Sequence, residues 1–171
     1  MEDLFPTLAA AAGEPDVVKK LHDGATYGGR TYKVHLDGYD QTAFLSGASD
    51  KSVRNEIFYY DETVLTAVRY KQFKVTFSEK EGGHWDDPLL NLGRPRITNL
   101  LTDPFERQDG DLNRQMNEHK AWILTPILGV VQGHLASFRE FPIRQLGLSA
   151  NVGKTIEGIQ DQLIKMQQAG E

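Results

Sequence analysis

Apolar positions recur at helical spacing at both ends of the chain and alternate through its middle. Near the start, Leu4, Phe5, Leu8 and Ala12 share one face of an alanine-rich segment. Asp3 stands at its cap position, Pro6 falls in its first turn and Gly13 closes it. A second short helix is expected in "EPDVVKKL". "HDGATYGGR" reads as a plain glycine-rich loop, because no apolar strand precedes it to make a phosphate cradle between strand and helix. Asp40 suits the N-cap of a short helix from Thr42 to Leu45 that Gly47 ends.

In the middle, "NEIFYYD" has the aromatic and β-branched content of a buried strand. "TVLTAVRYKQFKVTFSE" alternates in two halves, with "YKQF" as the turn between them. Strands joined by tight turns predict an antiparallel meander over 55–77, with Phe58, Tyr60, Phe73, Val75 and Phe77 as its buried positions. The stretch from Gly82 to Arg96 is loop-like; Ile97 and Leu100–Leu101 suit a fourth strand, and Asp103-Pro104 a turn. From Leu112 to Phe141 the pattern is helical. Its apolar stripe is Trp122, Ile123, Pro126, Ile127, Val130, Val131, Leu135 and Phe138, with Pro126 kinking that helix or starting a new one. "TIEGIQDQLIKMQQ" is amphipathic, with Ile156, Ile159, Leu163 and Met166 on one face. These elements predict an α+β fold: a four-stranded antiparallel sheet packed with helices.

Composition narrows the chemistry. At 171 residues the chain suffices for one domain with a modest core. A formal charge of -5 argues against nucleic acid, whose phosphates need a basic face. With no cysteine, disulfides, thiolate catalysis and zinc–cysteine sites are excluded. The opening "MEDLFPTLAAAAGEPD" lacks a basic leader region and its apolar run is too short for a membrane span, so the chain as given is expected in the cytoplasm and off the membrane.

His22, His35, His84, His119 and His134 form no pair at metal-ligand spacing, and no metal site is expected. Asp37 and Asp40 are three apart, a spacing that suits a cation or an acid–base pair, or more simply a turn at Asp37-Gly38 followed by a cap at Asp40. "TDPFER" brings Asp103, Glu106 and Arg107 together, which a capped turn with a local ion pair explains as well as catalysis does.

Several segments in order carry a resemblance: "DLFPTLAAAAGEPD", "GGRTYKVHLDGYDQTAFLSG", "NEIFYYDE", "AVRYKQFKVTF", "NLLTDPFERQDGD" and "FREFPIRQ". Together they resemble the C-terminal part of bacterial arylsulfatases, from Asp3 to about Arg144. The resemblance implies an alkaline-phosphatase-like enzyme whose catalytic centre lies in a larger N-terminal domain. That centre uses Ca²⁺ and a formylglycine made from a Cys/Ser-x-Pro-x-Arg motif. "EFPIR" keeps Pro142 and Arg144 of such a motif but has Glu140 at the nucleophile position. Lys71 stands in "RYKQFK" where the resemblance leads one to expect a turn glycine, and "QLGLSANVGK" departs from the family's tail.

The resemblance therefore implies no catalytic residue, metal or cofactor within this chain, and makes His35 and Tyr39 residues of a substrate-pocket rim. It implies one domain over 1–171, divided into a linking helix (1–20), a loop and short helix (21–54), the sheet (55–107) and C-terminal helices (112–171). The expected partner is a sulfatase catalytic domain, or a second copy through the 1–20 helix. Two functional expectations result: the truncated C-terminal part of a sulfate-ester hydrolase whose parent is exported, or a free-standing non-catalytic binding or oligomerisation module derived from one.

Overall fold

The computed structural model describes residues 2–84, 86–107 and 110–142. The amphipathic segment expected over 155–168 lies outside them. Two short helices, α1 (Leu4–Ala11) and α2 (Val17–Asp23), lead into a small hairpin, β1 (Ala25–Tyr27) and β2 (Arg30–Tyr32), and then a single turn of helix, α3 (Thr42–Leu45). The hairpin corrects the plain-loop expectation. Gly28 and Gly29 both take positive φ, 57° and 78°, the conformation that a two-residue hairpin turn demands and that glycine adopts without penalty.

The main sheet has strand order β3-β4-β5-β6, all antiparallel, from β3 (Glu56–Asp61), β4 (Val64–Tyr70), β5 (Phe73–Lys80) and β6 (Leu89–Asn99). The meander is as the alternation predicts, and Lys71 turns the chain between β4 and β5 with φ 54°. The fourth strand differs: it takes in 89–96, which reads as loop. Between the pairs Ser78↔Asn91 and Thr76↔Arg96 the register shifts, and the surplus residues on β6 include Gly93 and Pro95, which are tolerated at such an irregularity on an edge strand.

One register row, Phe58↔Val68↔Val75↔Ile97, crosses all four strands on the same face. After α4 (Gly110–Lys120), a 3₁₀ turn (Ala121–Ile123) and α5 (Leu124–Glu140) close over that row. Val68, Phe73, Val75, Ile97, Ile123 and Ile127 form the buried cluster, with Phe58, Leu65, Tyr70 and Phe77 partly buried against it. Each such side chain contributes about 1.5–3 kcal/mol by leaving water. Pro126 sits in the first turn of α5, so it starts a helix rather than kinking one. The run Arg114–Glu140 is long and apolar enough by length and composition to cross a membrane. Within it Ile123 and Ile127 are packed on the sheet, while most of its residues are not buried.

Three expected core positions are corrected. Tyr60 is 41 % exposed, because the register shifts between Tyr59 and Tyr60 and its hydroxyl reaches toward α5. Trp122 and Leu135 are exposed as well; the face of α5 turned to the sheet runs through Ile127, Val130 and Val131. The edge of β6 is covered by α4, where Asn117 Oδ1 accepts the Ile97 amide at 3.1 Å, which satisfies an otherwise open edge group. The local ion pair expected in "TDPFER" is also different: Glu106 pairs with Lys74 of β5 at 2.8 Å, while Asp103 Oδ1 accepts the Arg107 amide at 3.0 Å.

The opposite face of the sheet is polar. Lys74 Nζ lies 4.9 Å from the Tyr59 ring centre and Arg96 pairs with Glu79 at 2.6 Å. Among the described residues, Thr76 Oγ1 and Arg96 Nε are buried without a hydrogen-bond partner. A buried hydroxyl without a partner carries a desolvation cost of about 1–3 kcal/mol. Thr76→Val, which keeps the β-branched shape, is therefore expected to stabilise the protein by about 1 kcal/mol, seen as a higher urea midpoint with unchanged slope. A lower midpoint would mean that this hydroxyl is satisfied in solution.

Candidate functional site

A concavity of about 700 Å³ opens between the 35–40 segment, the edge of β3 and the outer half of α5. It is lined by His35, Asp37, Tyr39, Asp40, Arg54, Glu56, Phe58 and His134, with Pro15, Val18 and Val130 among its apolar contacts. Both residues singled out from the sequence, His35 and Tyr39, line it.

The 35–40 segment carries no regular structure, so its position depends on contacts elsewhere. Asp37-Gly38 makes no turn, contrary to expectation. Gly38 is instead pressed against the start of α1: a Cβ there would overlap the Glu2 carbonyl and come within 2.9 Å of Pro6 Cγ. Asp3 does not cap α1 with its side chain. Its carboxylate accepts the Tyr39 amide at 2.8 Å, Gln41 Nε2 at 3.0 Å and Arg54 Nε at 2.9 Å, and also pairs with Arg54 Nη2. The Arg54 guanidinium holds the Asp3 carboxyl well below the usual carboxylate range, against the opposing effect of burial. Arg54 further donates to the carbonyls of Glu56, at 3.1 Å, and Asp37, at 2.8 Å. One arginine thus ties α1, the cavity segment and β3 together. The N-cap position falls on Gln41, one residue later than expected, but Asp40 still caps the helix start: its Oδ1 accepts the Thr42 amide at 2.8 Å.

Tyr39 Oη donates to Glu56 Oε1. That bond, with burial second, pushes the phenol up to about 12. Its ring lies 4.8 Å from the Arg54 guanidinium carbon. On the other wall His134 stacks on Phe58 at 3.8 Å, with 13° between the rings, and meets Phe138 edge-on at 5.0 Å. Its Nε2 lies 2.7 Å from Tyr60 Oη. Burial lowers the His134 pKa and raises that of Tyr60; which of the two donates in this bond is set by the imidazole tautomer. Nδ1 of His134 faces Asp37 Oδ1 at 3.9 Å, and His35 Nε2 approaches the same oxygen at 3.4 Å.

The spacing of α5 contained the signal for His134, since 123, 127, 130, 134 and 138 follow one another at three or four residues. An apolar-only stripe selects Leu135 in its place.

The Tyr39 and Tyr60 phenols have raised pKa values and are protonated at neutral pH, and His134 is hydrogen-bonded to Tyr60. The groups required by a formylglycine and Ca²⁺ centre do not fit. The sequence has no cysteine and no Ser-x-Pro-x-Arg. Glu140, at the motif's nucleophile position, lies 3.8 Å from both His22 and Lys33. Among the described residues no three His, Asp or Glu side chains converge as a metal site.

An α+β chain with this meander and overlying helices has a sulfatase-like fold. It is similar to the PsFucS1 sulfatase from Pseudoalteromonas sp., with a TM-score of 0.56 and 26% sequence identity. The likeness covers 67% of this chain and 23% of that one, so the chain spans about a quarter of the sulfatase's length. No family model matches the chain, and no curated protein matches it.

Proposed function

We propose that this chain is the C-terminal subdomain of a sulfate-ester hydrolase, derived from an arylsulfatase-like enzyme and without a catalytic centre of its own. Its role is to complete a larger sulfatase: α1 and neighbouring surface dock on a catalytic domain, and the 35–40 segment, with His35 and Tyr39, forms part of the rim of that domain's substrate pocket. Ca²⁺ and formylglycine belong to the catalytic domain.

The observation that carries this reading is the pairing of a partial likeness with an uncovered helix. The chain matches about a quarter of a sulfatase, and α1 buries only Pro6 while Leu4, Phe5 and Leu8 are 54 %, 54 % and 64 % exposed. Phe44, Leu45 and Val53 add to the exposed apolar surface, and a second groove, of about 430 Å³, runs between Leu4, Thr7, Phe44, Leu45 and Ile57. Folded proteins that act alone rarely leave apolar patches of more than a few hundred Å² in water.

The uncovered helix equally supports a second reading, a free-standing module that pairs with a copy of itself through α1. The two readings separate in one experiment. The full chain is expected to hydrolyse no aryl sulfate with Ca²⁺ and a formylglycine-generating enzyme present, because it has no residue to be converted. Co-expressed with a sulfatase catalytic domain, it is expected to co-purify and to raise that domain's activity, and Leu4→Glu with Leu8→Glu is expected to abolish both effects. A dimer in sedimentation that the same pair of substitutions dissolves, with no capture of the catalytic domain, would favour the module. A monomer that captures nothing would overturn both.

A further inference from the structure

The β1–β2 hairpin takes no part in the cavity, yet its composition is that of a contact surface. All its residues are exposed except Ala25, which is half-buried. In the register Ala25↔Tyr32, Thr26↔Thr31, Tyr27↔Arg30, directly opposed residues share a face. The two threonines occupy one face, their hydroxyls 3.0 Å apart. Tyr27, Arg30 and Tyr32 therefore occupy the other. Tyr27 and Tyr32 are 41 % and 42 % exposed. They are diagonal neighbours on the ladder, about 7–8 Å apart along it.

The placement is rigid: a two-glycine turn fixes the register, and the Val34 amide donates to the Leu21 carbonyl at 2.9 Å, fastening the base of the hairpin to α2. Of the lysines around the hairpin, Lys20 pairs with Glu14 and Lys33 lies 3.8 Å from Glu140, so the cation that the hairpin itself presents is Arg30. No hydrogen bond or ion pair engages the Arg30 side chain among the described residues.

We propose that this face is a binding surface for a sulfated polysaccharide. The two phenol rings offer flat apolar platforms for the C–H faces of successive sugar rings, and tyrosine and arginine are the side chains most often found to dominate binding surfaces. Arg30 presents its guanidinium fork between them to a tetrahedral anion, which it can engage with two parallel N–H donors. A single unengaged arginine beside two rings suits a polymer with sparse charge. It does not suit nucleic acid, whose binding draws on several phosphate contacts. The preference for sulfate over carboxylate as the anion rests on the sulfatase reading above.

The test is affinity electrophoresis of the full chain in gels containing a sulfated galactan, a neutral galactan, alginate or single-stranded DNA. The expected result is retardation by the sulfated galactan alone. Tyr27→Ala with Tyr32→Ala, which leaves the charge unchanged, and Arg30→Gln are each expected to raise the apparent dissociation constant about tenfold or more. Tyr27→Phe with Tyr32→Phe keeps the ring faces and is expected to retain binding. Melting curves matching the wild type confirm that these surface changes leave the fold intact.

The proposal is overturned if the sulfated galactan does not retard the wild type, or if retardation survives the double alanine change. It is overturned equally if alginate or DNA is bound in preference, or if the phenylalanine variant loses binding with the alanine one. The sulfatase reading is judged by capture of a catalytic domain, which does not involve these residues, so either can fail while the other stands.

Discussion

Phe73→Ala is expected to unfold the protein at ordinary temperature or bring it close to unfolding. Phe73 opens β5 and is buried in the cluster that joins sheet to α5, with the Trp122 ring edge-on at 5.8 Å. Removing a buried phenylalanine costs about 3–5 kcal/mol, and a domain of this size has only about 5–15 kcal/mol in all. Phe77→Ala makes the internal comparison. Phe77 is only partly buried against the same cluster, so its loss is expected to cost less than that of Phe73. Urea denaturation of the two variants measures the difference; equal losses, or a Phe73→Ala variant as stable as the wild type, would place the core elsewhere.

The second large effect concerns Arg54. Truncating it to alanine removes the partner of the Asp3 carboxylate and the donors to the Asp37 and Glu56 carbonyls together. Breaking a well-buried ion pair costs about 3–5 kcal/mol. Asp3 keeps some contact with solvent, with a quarter of its side chain exposed, so about 2–3 kcal/mol is the expectation here.

The pH dependence has a definite sign. The Asp3 carboxyl titrates lower in the folded chain than in the unfolded one, so its contribution is whole above the unfolded value, near 3.8, and is lost as pH falls through the folded value. The gap in melting temperature between wild type and Arg54→Ala is therefore expected to be constant from neutral pH down to about 5 and to shrink below about 4. A gap that stays constant into strong acid would show that the guanidinium acts through its carbonyl bonds alone. Arg54→Lys is expected to recover little, since a single ammonium cannot span Asp3 and both carbonyls.

Much of this architecture was legible because local signals agreed with one another. The meander has alternation, aromatic and β-branched residues and short polar turns, all pointing to the same strands. The helices on either side of it have apolar residues at three- and four-residue spacing.

What escaped did so for identifiable reasons. β6 carries Gly93, Arg94, Pro95 and Arg96 within an irregular edge strand, and those residues suppress any strand signal. The hairpin's two-glycine turn is a strong marker, but its flanks lack apolar alternation because no core lies beneath them. Of the cavity's lining, His35 and Tyr39 were singled out only through the resemblance, as the rim of a substrate pocket, whereas Arg54 and His134 were not singled out as site residues. Arg54 contacts Asp3 and Tyr60 contacts His134 across 51 and 74 positions of chain, and such pairings are made by the tertiary fold alone. Asp3 has the residue type for a helix cap but bonds the Arg54 guanidinium instead, while Asp40 accepts the first amide of α3 from just outside the helix.

The way α1 is fastened has a consequence for association. Its polar end is fixed through Asp3 to Arg54, and Thr7 Oγ1 accepts the Gln41 amide at 3.0 Å, while its leucines point outward. A surface that covers these leucines meets a helix already formed and aimed. Ordering a disordered segment on contact typically consumes several kcal/mol of the interaction. Here that ordering belongs to the folding of the chain itself, so covering Leu4, Phe5 and Leu8 has only the cost of bringing two bodies together to offset.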